Sequence, residues 1–301
     1  METLILQIFH PVKKMSLHCS TKYAAALLLG TIAAAAAPNP NILFIAVDDL
    51  RPSIGCYGDK VAVTPNLDRL AKRGVRFGQA HCQVAVCNPS RASLMTGLRP
   101  DTLGVWTLPI HFREAKPEAV TLPQWLRRHG YTAVSHGKIY HNPTPDPQSW
   151  SEPIRRVRAQ QGYPRSVAAQ IRAAQAKLPS QDWRKNNLRG PGSFATNIDG
   201  NKLVDGVNTS LTIGDLRRLG KTKQPFFVAM GFIRPHLPWI APKKYWDLYD
   251  PKKLPVITDG KVNANTPPYA LSNSYELTHY VDLIDFPKPW DKRRIPEAQA
   301  R

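Results

Sequence analysis

Acidic residues are scarce in this chain, 22 Asp and Glu against 41 Lys and Arg over 301 residues, a formal net charge of +19. That imbalance points to polyanions as partners: nucleic acid, an anionic membrane surface or an acidic polymer. Nucleic acid is not the expected one, because zinc-finger spacing, RNP-like motifs and basic-zipper heptads are all missing. Cysteine is sparse too, and four in a chain of this length cannot form a disulfide scaffold. Cys56 and Cys82 could pair in an oxidising compartment or stay as buried thiols. Long hydrophobic runs are also lacking. The apolar stretch from Tyr23 to Ala37 spans about 15 residues where a membrane helix needs about 20, so stable membrane insertion is not expected. Lys13, Lys14 and Lys22 precede that stretch and Ala-x-Ala sites end it, so residues 1–37 read as an export signal, with Met15 an alternative start. Cys19 would leave with the signal, and a periplasmic or secreted mature protein is expected.

What the chain has in plenty is turn formers, 28 prolines and 18 glycines, which suit a site built on loops. Between them lie regular elements. Ile42 to Val47 is an uninterrupted apolar run of strand length, as expected of a parallel strand covered on both faces. A helix opens at Thr64 and Pro65 and stops at Gly74, and a strand is expected at 75–77. Pro89 to Thr96 reads as a helix closed by Gly97. Leu122 to His129 reads as another helix, followed by a strand at 131–135. Residues 226–230 form a further buried strand. Alternating strands and helices predict an α/β sandwich. Residues 151–190 interrupt it with nine Lys or Arg against two acids, including Arg155, Arg156, Arg158, Arg184 and Lys185. This basic insertion reads as a solvated surface loop, with steering of an acidic polymer as the lesser reading.

Chemistry concentrates at a few points. Asp48 and Asp49 follow the first strand, at the carboxyl end where α/β sheets place ligand sites. Adjacent carboxylates repel, and a hard divalent cation with oxygen ligands neutralises them best. Cys87 precedes the helix start at Pro89, where free N–H groups and the helix dipole favour an anion. Arg91 lies one turn along the same face and can reach back to residue 87. His236 sits between Pro235 and Pro238, which hold it in a non-helical loop.

Cys87-Asn88-Pro89-Ser90-Arg91 with Thr96-Gly97, and Gly130-Tyr131 through Gly137-Lys138-Ile139-Tyr140-His141, together resemble the two signatures of the formylglycine-dependent, cysteine-type sulfatase family. The version Val47 to Pro52 with Gly55 to Gly58, Arg99 to Thr102 and the Arg234-Pro235-His236 loop is most similar to the iduronate-2-sulfatase branch. The likeness covers residues 41–285. It implies an alkaline-phosphatase-like fold, a mostly parallel central sheet between helices. It also implies that a maturase, the formylglycine-generating enzyme or an equivalent, oxidises Cys87 while the chain is unfolded. The hydrated aldehyde offers one hydroxyl to attack sulfur and a second whose ionisation expels sulfate. By the same resemblance Asp48, Asp49 and residue 87 hold calcium in preference to magnesium. Lys138 and His236 bind the sulfate of a sulfated saccharide, His236 protonates the leaving alcohol, and His141 is the base for sulfate release, a task that neutral imidazole suits.

Residues 38–301 thus read as the N-terminal part of a sulfatase catalytic domain. After Asp49 no aspartate is followed by His or Asn, so the family's later metal pair is absent. A C-terminally truncated chain with an incomplete metal shell and impaired activity is expected. Two other readings share these residues. One is an impaired paralogue that binds sulfated glycans through its basic surface. The other is a phosphohydrolase of the alkaline-phosphatase superfamily, which would place Ser or Thr at position 87.

Overall fold

Three of the apolar runs join in one parallel sheet. The computed structural model describes residues 39–255, 265, 267 and 275–284. The expected export signal, Cys19 and the last residues of the chain lie outside them. Along the chain come β1 (Ile42–Val47), α1 (Pro65–Ala71), α2 (Cys87–Thr96), α3 (Pro100–Leu103), α4 (Phe112–Ala115), α5 (Leu122–Arg128) and β2 (Thr132–Gly137). They are followed by α6 (Val167–Lys177), β3 (Ser193–Thr196), α7 (Val204–Leu219), β4 (Phe226–Phe232), β5 (Trp239–Pro242) and α8 (Lys243–Trp246).

The central strand is β4, with β1 parallel on one side and β2 parallel on the other. Six of its seven residues are buried, as its unbroken apolar sequence requires. Its faces feed two cores. Phe227 and Ala229 join Ala92 and Met95 of α2, Leu126 of α5 and Ala133 of β2 on one face. Phe226 and Val228 meet Val134 of β2 and Leu219 of α7 on the other. Burial of each such Val or Phe contributes about 1.5–3 kcal/mol. The sheet is therefore sandwiched between helices.

Helix ends follow local chemistry. Thr121 caps α5 through the Gln124 backbone N–H, and the Gln124 side chain returns to the Thr121 N–H, closing a capping box. Gly97 ends α2 at φ 70°.

Several expectations need correction. Among the described residues β1 is an edge strand, and α7 packs chiefly on β4 and β2. Ile42, Phe44 and Ala46 reach the core, while Leu43 and Ile45 on the opposite face stay 45% and 49% exposed. Residues 75–77 form no strand, and Val75 and Phe77 point into solvent. Helix α2 begins two residues early, making Cys87 its first helical residue and Pro89 its third. Pro89 is tolerated there because first-turn N–H groups have no helical partner anyway. Cys56 and Cys82 are free thiols, half-buried and exposed, so they neither pair nor hide in the core.

The basic insertion is more than a loop. It contains α6 and leads into β3, which pairs in parallel with β5 in a separate two-stranded sheet. Arg155 faces Glu152 and Asp215, and Arg184 bonds Asp182, so part of its charge is paired. Helix α7 carries no apolar periodicity, because its buried face is mostly Asn208, Thr212 and Asp215.

Candidate active site

Asp48 is delivered by the sheet ladder itself. Its backbone N–H donates to the Phe232 carbonyl at 3.1 Å, extending the β1–β4 pairing by one residue. The side chain is left buried at the carboxyl end of the strand. Asp49 then turns away at φ 56°, a left-handed conformation uncommon outside glycine, with an exposed carboxylate.

Lys138 arrives the same way from β2. Gly137 at φ 70° makes the turn, and the neighbouring strand β4 is so close that a Cβ on Gly137 would lie 2.1 Å from the Gly231 carbonyl oxygen. A Cβ on Gly231 would lie equally close to the Lys138 carbonyl oxygen. Only two glycines allow β2 and β4 to converge here. The Lys138 N–H then donates to the Gly231 carbonyl at 2.8 Å.

These two strand ends meet the start of α2. The Lys138 ammonium donates to Asp48 Oδ2 and lies 3.7 Å from Cys87 Sγ. Cys87 Sγ is itself 3.9 Å from Asp48 Oδ2. Arg91 Nη2 donates to Asp48 Oδ1 at 2.7 Å, and Nη1 donates to the carbonyls of Lys138 and Ile139. Arg91 thus ties the carboxylate to the Lys138 segment, and its recorded bonds do not go to Cys87 as the helical spacing suggested. His236 Nε2 stands 4.0 Å from Asp48, 3.8 Å from Asp49 and 3.9 Å from Glu276.

Burial acts first on Asp48 and would raise its pKa, but hydrogen bonds from Lys138 and then Arg91 outweigh it and hold the carboxyl below 3.8. The adjacent Cys87 side chain raises His236 to about 9 against the opposing effect of burial, with the Leu237 carbonyl assisting. His141 is pushed the other way, by burial and then by the Lys138 charge, and stays neutral. Among the described residues its buried Nδ1 has no hydrogen-bond partner. It shares the field of Lys138, Asp48, Arg91 and His236 without a direct bond to any of them.

Four residues that the motifs do not single out position this cluster. Asn88 donates to the carbonyls of Thr107 and Ile110 at 3.0 and 2.6 Å and accepts from the Thr144 hydroxyl at 3.2 Å. The Thr144 hydroxyl also lies 2.9 Å from the His141 carbonyl. A polar chain thus joins the residue next to Cys87 to the backbone of His141. Asp205 accepts from the N–H groups of Ile233 and Arg234, both at 2.9 Å, and anchors the His236 loop. Glu276 approaches His236 from a distant segment. Residue types alone did not signal them, since Asn, Thr, Asp and Glu are ordinary surface residues until the fold encloses them.

The donor atoms of Asp48, Cys87 and His236 lie within 4.8 Å of one another, a spacing that fits one metal ion. A hard cation prefers carboxylate oxygens to a thiol, and calcium takes six to eight oxygens. Asp48 suits it, Asp49 stands outside that group, and residue 87 fits fully only once its sulfur has been replaced by oxygen.

The sulfatase family model matches residues 40–283, so the chain belongs to the sulfatase family. Among curated relatives, iduronate 2-sulfatase of Mus musculus is 36% identical over 250 residues, covering 81% of this chain and 43% of that protein. A sulfatase of Formosa agariphila is 34% identical over 248 residues, 76% of this chain and 44% of that protein. The chain therefore spans less than half the length of these relatives. The solved phosphonate monoester hydrolase of Agrobacterium radiobacter superposes with a TM-score of 0.50 at 24% identity, covering 72% of this chain and 45% of that one. That likeness concerns the fold, and with the parallel sheet between helices it makes the architecture alkaline-phosphatase-like.

Proposed function

We propose that this chain carries the front half of the active site of a sulfuric ester hydrolase of iduronate-2-sulfatase type, acting on sulfated sugars. The observation that carries the reading is the convergence of Asp48, Lys138 and His236 on Cys87 at the first turn of α2. In this reading Cys87 is converted to formylglycine by a maturase before folding, and the chain is exported to the periplasm or beyond the cell. Asp48 and Asp49, with the oxygens of residue 87, would hold the cation, for which we propose calcium. When bound, the cation and the hydrated aldehyde together supply a nucleophilic oxygen beside neutralised negative charge.

The chain's own residues do the rest. The first-turn N–H groups of α2 and the Lys138 ammonium receive the sulfate oxygens. His236, with Asp49 and Glu276 carboxylates 3.8 and 3.9 Å from its Nε2, is equipped to give a proton to the leaving alcohol. His141, neutral at pH 7, is equipped to take one from residue 87 afterwards. Arg91 keeps Asp48 ionised and aimed at the site. Among the described residues no helix is long and apolar enough to cross a membrane.

Mass spectrometry of the tryptic peptide from Phe77 to Arg91, isolated from the native host, tests the reading. Aldehyde in place of thiol at residue 87 is the expected result. An unmodified thiol in protein that releases sulfate would overturn it.

A further inference from the structure

Beside the His236 loop lies a cleft of about 1010 Å3, at the upper end of the roughly 300–1,000 Å3 of ordinary ligand pockets. It is separate from the Cys87 cluster: neither Cys87, Asp48 nor Lys138 lines it. Phe232, Arg234 and Pro238 do, so it abuts the loop that carries His236 on both sides. The opposite wall comes from the basic insertion and from β5 and α8. A sulfate group alone would leave most of this volume empty.

Its charge is lopsided. Arg158, Arg189, Arg234 and Lys244 face Asp199 and Asp205. Both acids are already engaged, Asp205 by the N–H groups of Ile233 and Arg234 and Asp199 by that of Asn201. Arg234 is spent on the carbonyls of His236 and Leu237, and Arg189 on Tyr280 and Glu276. Among the described residues Arg158 and Lys244 pair with no carboxylate, and both are exposed. Tyr163 and Tyr245 add flat amphipathic rings, with the Lys244 ammonium 5.1 Å from the centre of the Tyr245 ring.

Free cations, aromatic faces and amides around a wide cleft match an anionic oligosaccharide, whose rings stack on tyrosine while its carboxylates or sulfates meet the cations. We infer that this cleft binds the sugar residues adjoining the one held at Cys87, with Arg158 and Lys244 as the principal anion contacts. The inference rests on the sulfatase reading for the position of the reacting sugar. It turns the basic insertion from a solvated loop into one wall of a binding site.

Equilibrium binding of a heparin-derived sulfated tetrasaccharide at physiological ionic strength tests it. The double variant Arg158→Ala, Lys244→Ala is expected to bind at least about tenfold more weakly than wild type, the scale of losing charge-assisted hydrogen bonds. The double variant Arg128→Ala, Lys221→Ala removes two exposed cations outside the cleft and is expected to bind as wild type does. Wild-type affinity in the first variant overturns the inference, as does an equal loss in the second or no binding by wild type. Equal affinity of wild type for a single-stranded DNA of matched charge also overturns it, by reducing the cleft to general electrostatics. Sulfate release from the same probe is followed in parallel. Cleft-dependent binding by protein that releases sulfate with an unmodified thiol at residue 87 overturns the hydrolase reading and leaves the cleft standing.

Discussion

The three-stranded sheet and the two-stranded β3–β5 sheet are built by different means. In the first, apolar strands flanking the buried β4 end together with it, and the polar groups at their tips are locked by ion pairs: Asp48 with Arg91 and Lys138. In the second, a short sheet is edged by partly exposed residues, and its cations stay in or near solvent. The contrast teaches that a rigid frame is spent where atoms must be held for chemistry, while recognition of an extended ligand tolerates a looser wall.

The largest expected effect falls on the rigid region. Cys87→Ala in active protein should reduce sulfate release to background, measured with the natural sulfated sugar, while leaving the melting temperature almost unchanged. Sustained turnover would remove Cys87 from the chemistry. Next comes Asp48→Ala, which strands two buried cations and should destabilise the fold by about 3–5 kcal/mol. Denaturant unfolding checks this, and a stability close to wild type would mean that the ion pairs are not holding the strand ends.

Asn88→Ala comes third. It leaves the Thr107 and Ile110 carbonyls without their buried donor, so a loss of about 1–3 kcal/mol is expected. If the chain through Thr144 also positions His141, kcat per aldehyde-bearing enzyme falls while KM is nearly constant. An unchanged kcat would confine Asn88 to stability.

Smaller still is the effect of pH on the far face of the sheet. Burial acts first on Asp215 and would raise its pKa, but hydrogen bonds with His136 and Arg218 bring the carboxyl below the ordinary 3.8. A lowered folded value stabilises the protein above pH 3.8, and that contribution is lost as pH falls through the folded value. Asp215→Asn should flatten the decline of stability below pH 3.8, and identical acid unfolding curves would contradict it. The smallest effect belongs to the exposed segment at 75–77. Phe77→Ser should change stability by no more than about 0.5 kcal/mol, and a larger loss in the melting temperature would show that Phe77 is covered in solution.

Legibility followed the same divide. Phe226 to Phe232 and Ile42 to Val47 announce themselves because an apolar run at strand length has few other uses, and Cys87, Arg91, Lys138 and His236 lie in compact motifs. The segment at 75–77 misled because Val and Phe favour strands, yet among the described residues no strand pairs with it. Helix α7 stayed hidden because its buried face is polar, and Thr212 and Asp215 meet Met230 and His136 only after folding. The bond from Arg91 to Asp48 was equally invisible, since its partner lies 43 residues away.

Local sequence by itself determined the strands of the central sheet, the existence of helix α2 and the motif residues of the sulfatase family, because each depends on neighbours within a few positions. Tertiary structure alone decided that Arg91 serves Asp48, that Asn88 reaches His141 through Thr144, that β1 keeps one face open and that the basic insertion walls a cleft. Those outcomes depend on which distant groups compete for the same hydrogen bonds and apolar surface, and that competition takes place only when the strands are brought together.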